Sequence, residues 1–525
     1  MSKLNKPGQS PVIAKQTAVS YNGNPQFLKD AEMQLYEVAT MTLYGKDEFY
    51  ETSDARLTRL KELVAAVVSK PGNADFVGNL IVHARTAMNI RSMPVILAVE
   101  FAKALRDQNK AYPNLRRVVC DVVQRADQIS DLYAYALAVF GSKKAIPMAI
   151  KRGVADAFEK FDEYSLAKYN RSGAVKLRDV IRIVHPSGKT PEQGELFQKL
   201  IKDELAVPYT WETELSKNGQ LPPSERKSDA VLWKELIDSN KVQYMALLRN
   251  VRNIAQAGVD STVIKRVCER LADPKQVARS KQLPFRYVNA IDALNQATGV
   301  SRTDTDRLNT AIRDAAQASL SNVPALGNNV WIILDVSGSM GGGYGSMGDS
   351  KSTPIRTGAL FSAALVGANQ DATNVQLTVF SDRAKHVKLN PKANMFANVE
   401  AIEREVIGGG TELQAALDLK KSLGFEPDTV IVLSDMQVNM LRTRTSAEIF
   451  TKDTVKVAFN LNAYNSTPIS TINGWYQLSG FSERAFDFIP AMRDKVSVVD
   501  YLSKPYMGLE KIKQRRAEVA STEEE

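Results

Sequence analysis

The chain has 525 residues, 44% hydrophobic and 24% charged, an ordinary globular composition that builds sizeable cores without a metal or disulfide staple. Two distant cysteines, Cys120 and Cys268, and three histidines, His83, His185 and His386, exclude a disulfide scaffold, a Cys-rich zinc module, a C-x-x-C redox pair and an H-E-x-x-H metalloprotease. Of 68 basic and 59 acidic side chains, residues 1–325 hold 47 and 36 while residues 326–525 hold 21 and 23, which points to a polyanionic partner for the first part alone; solubility charge is the alternative.

Residues 1–30 are polar and turn-rich, with Pro7, Pro11, Asn22, Gly23, Asn24 and Pro25, and read as an N-terminal arm. The start MSKLNKPGQSPVIAKQ has no long apolar core of the signal-peptide kind, and no apolar run reaches bilayer length. A cytoplasmic location with no membrane partner is the expectation.

Residues 31–325 carry a helical period. In DARLTRLKELVAAVVSK, Leu57, Leu60, Val64 and Val67 share a face, and Pro71-Gly72 ends the run. Pro94 and Pro113 stand where proline is tolerated, at the start of further helical runs. A helix recurs about every 18 residues, so helix pairs recur at about 35–40, close to the period of helical solenoids. The spacing predicts an all-α stack of helix hairpins; an irregular helical domain is the alternative. His83 and the two cysteines fall in apolar helical runs and read as packing residues.

The pattern changes near residue 326. VWIILDV, VQLTVF (375–380), TVIVL (429–433) and VKVAFNL (455–461) are short apolar runs, as in strands buried on both faces. PIRTGALFSAALVGA and TELQAALDLKKSL between them are helical. The alternation predicts a doubly wound α/β domain over 326–505. Residues 506–525 read as a charged tail, and His386 as an exposed residue after a strand.

Two clusters carry chemistry. The first strand of the α/β domain ends in Asp335-Val336-Ser337-Gly338-Ser339-Met340. Ligands bind such sheets at the carboxyl ends of strands. Thr411, after three glycines, and Asp435, directly after a strand, would reach the same edge. Two carboxylates and three hydroxyls form an all-oxygen set suited to a hard divalent cation such as Mg²⁺; the alternative is a set of caps and turns. The second cluster is the densest basic run, 166–190, with Lys168, Arg171, Lys176, Arg178, Arg182 and Lys189, and with His185 near the face of Arg178 and Arg182. Cations in a row bind phosphate, while histidine and a neighbouring Tyr169 touch bases; a solvated helix face is the alternative. SGKT (187–190) is not a P-loop, because Ile183 stands where the first glycine is required.

D-V-S-G-S-M, G-G-G-T and L-S-D together resemble the von Willebrand factor A domain. That resemblance implies a metal-ion-dependent adhesion site at Asp335, Ser337, Ser339, Thr411 and Asp435, with GGGYGSMGDSKST (341–353) beside it. MTLYGKDEFYET (41–52), KYNRSGAVKLRDVIRIVHP (168–186) and MALLRNVRNI (245–254) resemble the TROVE module of Ro-type ribonucleoproteins. This second resemblance implies a ring of HEAT-like helical repeats over 31–325. The ring would bind small noncoding, Y-like RNA outside and misfolded RNA ends in its cavity, with Lys168 and His185 at RNA-contacting positions. Arg116, Arg117, Lys143 and Lys144 are candidates by charge alone. An exoribonuclease partner follows by family analogy, and DNA is not expected. The leading expectation is a non-enzymatic RNA-binding protein. A protein-interaction adaptor acting through the metal site is the alternative, and a metal-dependent hydrolase is disfavoured because a two-metal clamp needs more carboxylates.

Overall fold

The computed structural model describes residues 18–19, 25–41, 53–170, 175–341, 353–390, 393–405, 408–438, 449–462, 464–469, 474–480 and 483–509. Residues 31–318 are a succession of helices, the longest being Ser53–Ser69, Met93–Asp107 and Arg302–Ala318. Each helix buries one apolar stripe: Leu60, Leu63, Val64, Val67 and Val68 are the buried apolar residues of Ser53–Ser69. Local chemistry sets the ends. Thr190 accepts Gln193 N at 3.3 Å to start Pro191–Lys202, and Gly141 at φ +77° closes Asp127–Phe140.

The helical period of the sequence is a period of side-chain bonds. Lys70 reaches Glu32 across 38 positions, Tyr112 reaches Asp75 across 37, Arg116 reaches Asp156 across 40, Tyr135 reaches Glu100 across 35 and Gln193 reaches the Glu159 carbonyl across 34. Met93–Asp107 packs on Asp127–Phe140, and Leu115–Val122 on Met148–Phe158, each the second helix along. A helix therefore meets its counterpart in the next hairpin, as a repeat stack requires. Non-helical stretches at 203–210 and 221–228 interrupt the stack.

Nine strands are described: β1 (Ala18–Val19), β2 (Pro25–Leu28), β3 (Asn329–Asp335), β4 (Asn374–Phe380), β5 (Ala384–Val387), β6 (Thr429–Ser434), β7 (Val455–Asn460), β8 (Ser466–Thr467) and β9 (Trp475–Ser479). Six form a sheet in the order β5-β4-β3-β6-β7-β9, parallel except for the edge strand β5. Both faces are covered. Ile332 and Leu334 face the core shared with helix Pro354–Ala368, while Trp331 and Ile333 face that of Leu413–Asp418. Alternate residues of an all-apolar strand thus enter different cores.

The α/β domain holds both ends of the helical stack. At the first, Tyr36 OH donates to Ser479 O at 3.1 Å, and Asn79 donates to the carbonyls of Leu502 and Lys504 at 3.0 and 2.8 Å. At the last, Arg356 pairs with Asp292 at 2.8 Å and Met395 N donates to Gln317 Oε1 at 3.1 Å. One apolar core runs without interruption from Met33 to Leu502, so the stack is closed into a ring by the α/β domain.

The described part of the arm is extended and paired: β2 lies against β8, placing Phe27 opposite Thr467 and Leu28 opposite Ser466. Two local expectations change. Residues 506–509, assigned to the tail, dock on the helices, with Tyr506 OH donating to Asp121 at 2.8 Å; the rest of the tail, 510–525, lies outside the described residues. His386 lies within β5 rather than after a strand; its ring nitrogens meet Thr378 Oγ1 at 2.9 Å and Ser422 Oγ at 2.8 Å. His83 is the packing residue expected, buried with its ring 5.1 Å from that of Phe488. Among the described residues no helix is long and apolar enough to cross a membrane.

Candidate metal centre and nucleic-acid interface

The carboxyl edge of the central strands gathers the predicted oxygen set. β3 ends on Asp335 and β6 ends one residue before Asp435; Asp335, Ser337 and Asp435 are fully buried and Thr411 nearly so. Asp335 Oδ1 accepts Ser337 N at 2.9 Å, and its Oδ2 accepts Ser434 Oγ at 2.6 Å. Ser337 Oγ lies 3.5 Å from Ser339 Oγ. The Thr411 loop is stitched to the same edge: Gly408 N donates to Val336 O at 3.2 Å and Gly338 N to Gly409 O at 3.1 Å.

Two of the three glycines before Thr411 have a backbone reason: Gly408 has φ +69° and Gly409 φ +89°, while the Asp382 carboxylate lies close over Gly409 and Gly410. Asp382 Oδ1 accepts Gly410 N at 2.8 Å.

The two carboxylates at this edge are buried, and no basic side chain among the described residues pairs with either. Burial, and then the neighbouring Asp435 charge, push the Asp335 carboxyl up to about 7. Burial also raises Asp435, opposed by Gln437 N and Ser339. Asp435 Oδ1 accepts Gln437 N at 3.0 Å, whereas Oδ2 is buried and has no hydrogen-bond partner. Two buried carboxylates, one with an orphaned oxygen, are costly without a counterion, and a hard divalent cation bound among hydroxyls removes that cost. Met436, the next residue, sits at φ +62°, a conformation costing about 1–3 kcal/mol in a non-glycine residue. Among the described residues no group of three or more His, Cys, Asp and Glu gathers for a metal, here or elsewhere; this site offers two carboxylates and hydroxyls.

The basic run 166–190 lies differently from its reading as a free cationic face. Helix Leu177–Val184 carries Arg178 and Arg182, but Arg178 pairs with Asp203 at 3.0 Å and Arg182 donates to Ile201 O at 2.6 Å. Both thereby tie their helix to Pro191–Lys202. Lys176 is half-buried, and its N–H donates to Asp179 at 3.4 Å. Lys168 stands 5.9 Å from the Tyr164 ring and 5.7 Å from that of Tyr169. His185 is exposed at φ +48°, ending the helix. Arg171 lies outside the described residues. Of the candidates by charge alone, Arg116 pairs with Asp156 and Arg117 with Asp121, while Lys143 and Lys144 are exposed.

A second cationic group comes from five separate elements: Arg85 at the end of helix Ala74–Thr86, Arg91 and Arg125 in loops, Arg249 in Tyr244–Gln256 and Arg286 in Pro284–Asn295. Burial, then Arg91 and Arg125, depress the Arg85 guanidinium to about 10. Burial, then Arg125, Arg249 and Arg286, depress Arg91, with Asp127 opposing. Arg91, Arg249 and Arg286 are exposed, and Arg125 stacks 4.7 Å from the Tyr169 ring, joining this group to the 168–185 surface. Sequence density could not find this group, because no two of its members are closer than six positions. Arg249 alone fell within a segment of recognised resemblance.

The chain matches the TROVE domain over residues 25–207 and 201–324, and the von Willebrand factor type A domain over 330–437. It is similar to telomerase protein component 1 of Rattus norvegicus, 25% identical over 382 residues, covering 57% of this chain and 14% of that protein. The Mus musculus protein of the same name is 24% identical over 356 residues, covering 52% and 13%. The chain thus matches only a small part of the length of these curated relatives. In fold it is similar to the crystal structure of the Deinococcus radiodurans RO (RSR) protein, with a TM-score of 0.60 and 18% identity over 89% of this chain and 100% of that one. The chain belongs to the TROVE domain family, whose members are RNA-binding components of ribonucleoproteins, and it carries a von Willebrand factor type A domain after the helical ring.

Proposed function

We propose that this protein binds RNA through the helical ring, taking small noncoding, Y-like RNA and the single-stranded ends of misfolded RNA, and that it scaffolds or sorts them without catalysis. The observation that carries this reading is the five-arginine group, drawn from separate elements between residues 85 and 286, in which neighbouring guanidiniums add to burial in depressing Arg85 and Arg91. Like charges held together repel; a phosphate backbone laid among them relieves the repulsion and releases its counterions. Lys168, Lys176, Arg178, Arg182 and His185, with Arg171, extend the surface outward, linked through Tyr169. The two matched domain families are generally non-enzymatic RNA-binding or adaptor domains, which supports this reading. A cytoplasmic location and an exoribonuclease partner that consumes the captured RNA belong to the same proposal.

The α/β domain would hold Mg²⁺ through Asp335, Ser337, Ser339, Thr411 and Asp435. A bound Mg²⁺ supplies an open coordination position for a carboxylate or phosphate oxygen of a partner. The adaptor reading draws on the orphaned Asp435 Oδ2 and is compatible with RNA binding, since the two sites occupy different domains.

The test is a salt titration of binding to a structured RNA with a single-stranded 3′ tail. Contacts to several phosphates predict a linear fall of log affinity with log salt, with a slope of about −0.7 to −0.9 per phosphate engaged. Binding that ignores salt between 50 and 200 mM, or no binding at 50 mM, would overturn the proposal. Intact RNA after prolonged incubation with Mg²⁺ separates it from the hydrolase reading.

A further inference from the structure

The loop that carries Asp435 is completed by a residue 410 positions away from it in sequence. Gln26 of β2 is fully buried, and its Nε2 donates to Met436 O at 2.9 Å. Its Oε1 accepts Ser466 Oγ of β8 at 2.5 Å. The amide is therefore held at both ends, and its orientation is fixed because the Met436 carbonyl can only accept.

The Met436 carbonyl and the Gln437 N–H belong to one peptide unit, and that N–H donates to Asp435 Oδ1 at 3.0 Å. Gln26 thus grips by its oxygen the peptide whose nitrogen holds the carboxylate. Met436 N donates to Ser434 Oγ at 2.9 Å, and that hydroxyl donates to Asp335 Oδ2 at 2.6 Å. Met436 has φ +62°, so the backbone at this residue is strained and keeps its conformation only while its surroundings restrain it. A turn of the 436–437 peptide would break the bond to Gln26 and the bond to Asp435 Oδ1 together, and would release the Asp435 carboxylate from its fixed orientation.

The arm that brings Gln26 is anchored to the ring. Lys29 Nζ donates to Glu37 at 2.6 Å and to Tyr464 O at 3.0 Å, with both charged side chains buried, and Lys29 O accepts Gln34 Nε2 at 2.7 Å. Glu37 lies on Ala31–Met41, the first helix of the stack. One continuous segment therefore runs from the metal loop to the helical ring.

We propose that Gln26 is a positioning residue of the metal site, and that cation binding and docking of residues 25–29 strengthen each other. This rests on the divalent-cation reading of the site. By linkage, whatever factor the docked arm adds to cation affinity, the cation adds to arm docking. Groups that orient a ligand from outside the coordination sphere commonly change metal affinity by about 10- to 100-fold.

The experiment uses the full chain, with Mg²⁺ titrated calorimetrically into the wild type and Gln26→Leu, which keeps bulk and removes the donor. Leu28→Ala, altered at an exposed arm residue, is the control. About tenfold weaker Mg²⁺ binding in Gln26→Leu, with Leu28→Ala within about threefold of wild type, is expected. Hydrogen exchange at residues 26–29 of the wild type, with Mg²⁺ and with EDTA, needs no variant and covers the case in which Gln26→Leu misfolds. Mg²⁺ should slow exchange there by about tenfold. Equal Mg²⁺ affinity in Gln26→Leu and wild type, or arm exchange indifferent to Mg²⁺ in a wild type that binds it, overturns the coupling alone. A wild type that binds no divalent cation overturns the metal reading and the coupling with it.

Discussion

The basic run 168–185 and the five-arginine group are opposites. The first is dense in sequence and largely engaged in space: Arg178 holds Asp203 and Arg182 holds a carbonyl of the next helix. The second is scattered over two hundred positions in sequence and concentrated in space, where burial first and neighbouring guanidiniums second depress Arg85 and Arg91, while Arg125 pairs with Asp127. Charge that is close along the chain attracts acids and carbonyls from the neighbouring repeat, and much of its field is neutralised on folding. Charge brought together from several elements persists only where the fold holds it, and a functional cationic surface is better sought there.

Reversing the scattered group should have the most severe consequence. Arg91→Glu, Arg249→Glu and Arg286→Glu together should weaken RNA binding by at least about 100-fold near physiological salt and flatten the log–log salt slope by about 2. All three are exposed, so the melting temperature should hold, and a filter-binding titration beside a thermal melt separates the two. Removing the cation comes next. Mg²⁺ at about 100 times its dissociation constant should stabilise the wild type by roughly 2.7 kcal/mol, read as a rise in melting temperature over EDTA. Asp435→Asn should lose that rise and leave RNA affinity within about twofold, because the arginine group lies in the other domain.

Reversing the dense run, through Lys168→Glu, Arg178→Glu and Arg182→Glu, should cost RNA affinity only about tenfold, since two of the three are already paired. A greater loss here than from the arginine triple would invert the comparison. The smallest effect sharpens it. Asp203→Asn releases Arg178 from a pair that is about a third exposed on one side and over half on the other. It should cost under about 1 kcal/mol in urea unfolding and raise RNA affinity about two- to threefold at low salt.

Much of the architecture was legible because its signals are local. A helix announces itself within a dozen residues, and the recurrence of hairpins at about 35–40 positions reappears as bonds spanning 34 to 40 positions, such as Gln193 to Glu159 and Arg116 to Asp156. The runs at 330–336, 375–380, 429–433 and 455–461 became β3, β4, β6 and β7, since a strand buried on both faces must be apolar throughout. β5 and β9 escaped notice: the first is a short, polar edge strand and the second contains Gln477 and Tyr476. The metal candidate was also legible, because the ends of parallel strands converge on one edge whatever the loops between them.

The two architectures, their order and the candidate oxygen set at Asp335, Ser337, Ser339, Thr411 and Asp435 are each written in spacings of a few residues. Which cations face each other, how Asp382 lies over Gly409 and Gly410, and that Gln26 reaches Met436 follow from the folded chain. Those contacts join segments separated by tens to hundreds of positions. No local periodicity encodes them, and they exist only because a continuous core brings both ends of the stack onto one domain.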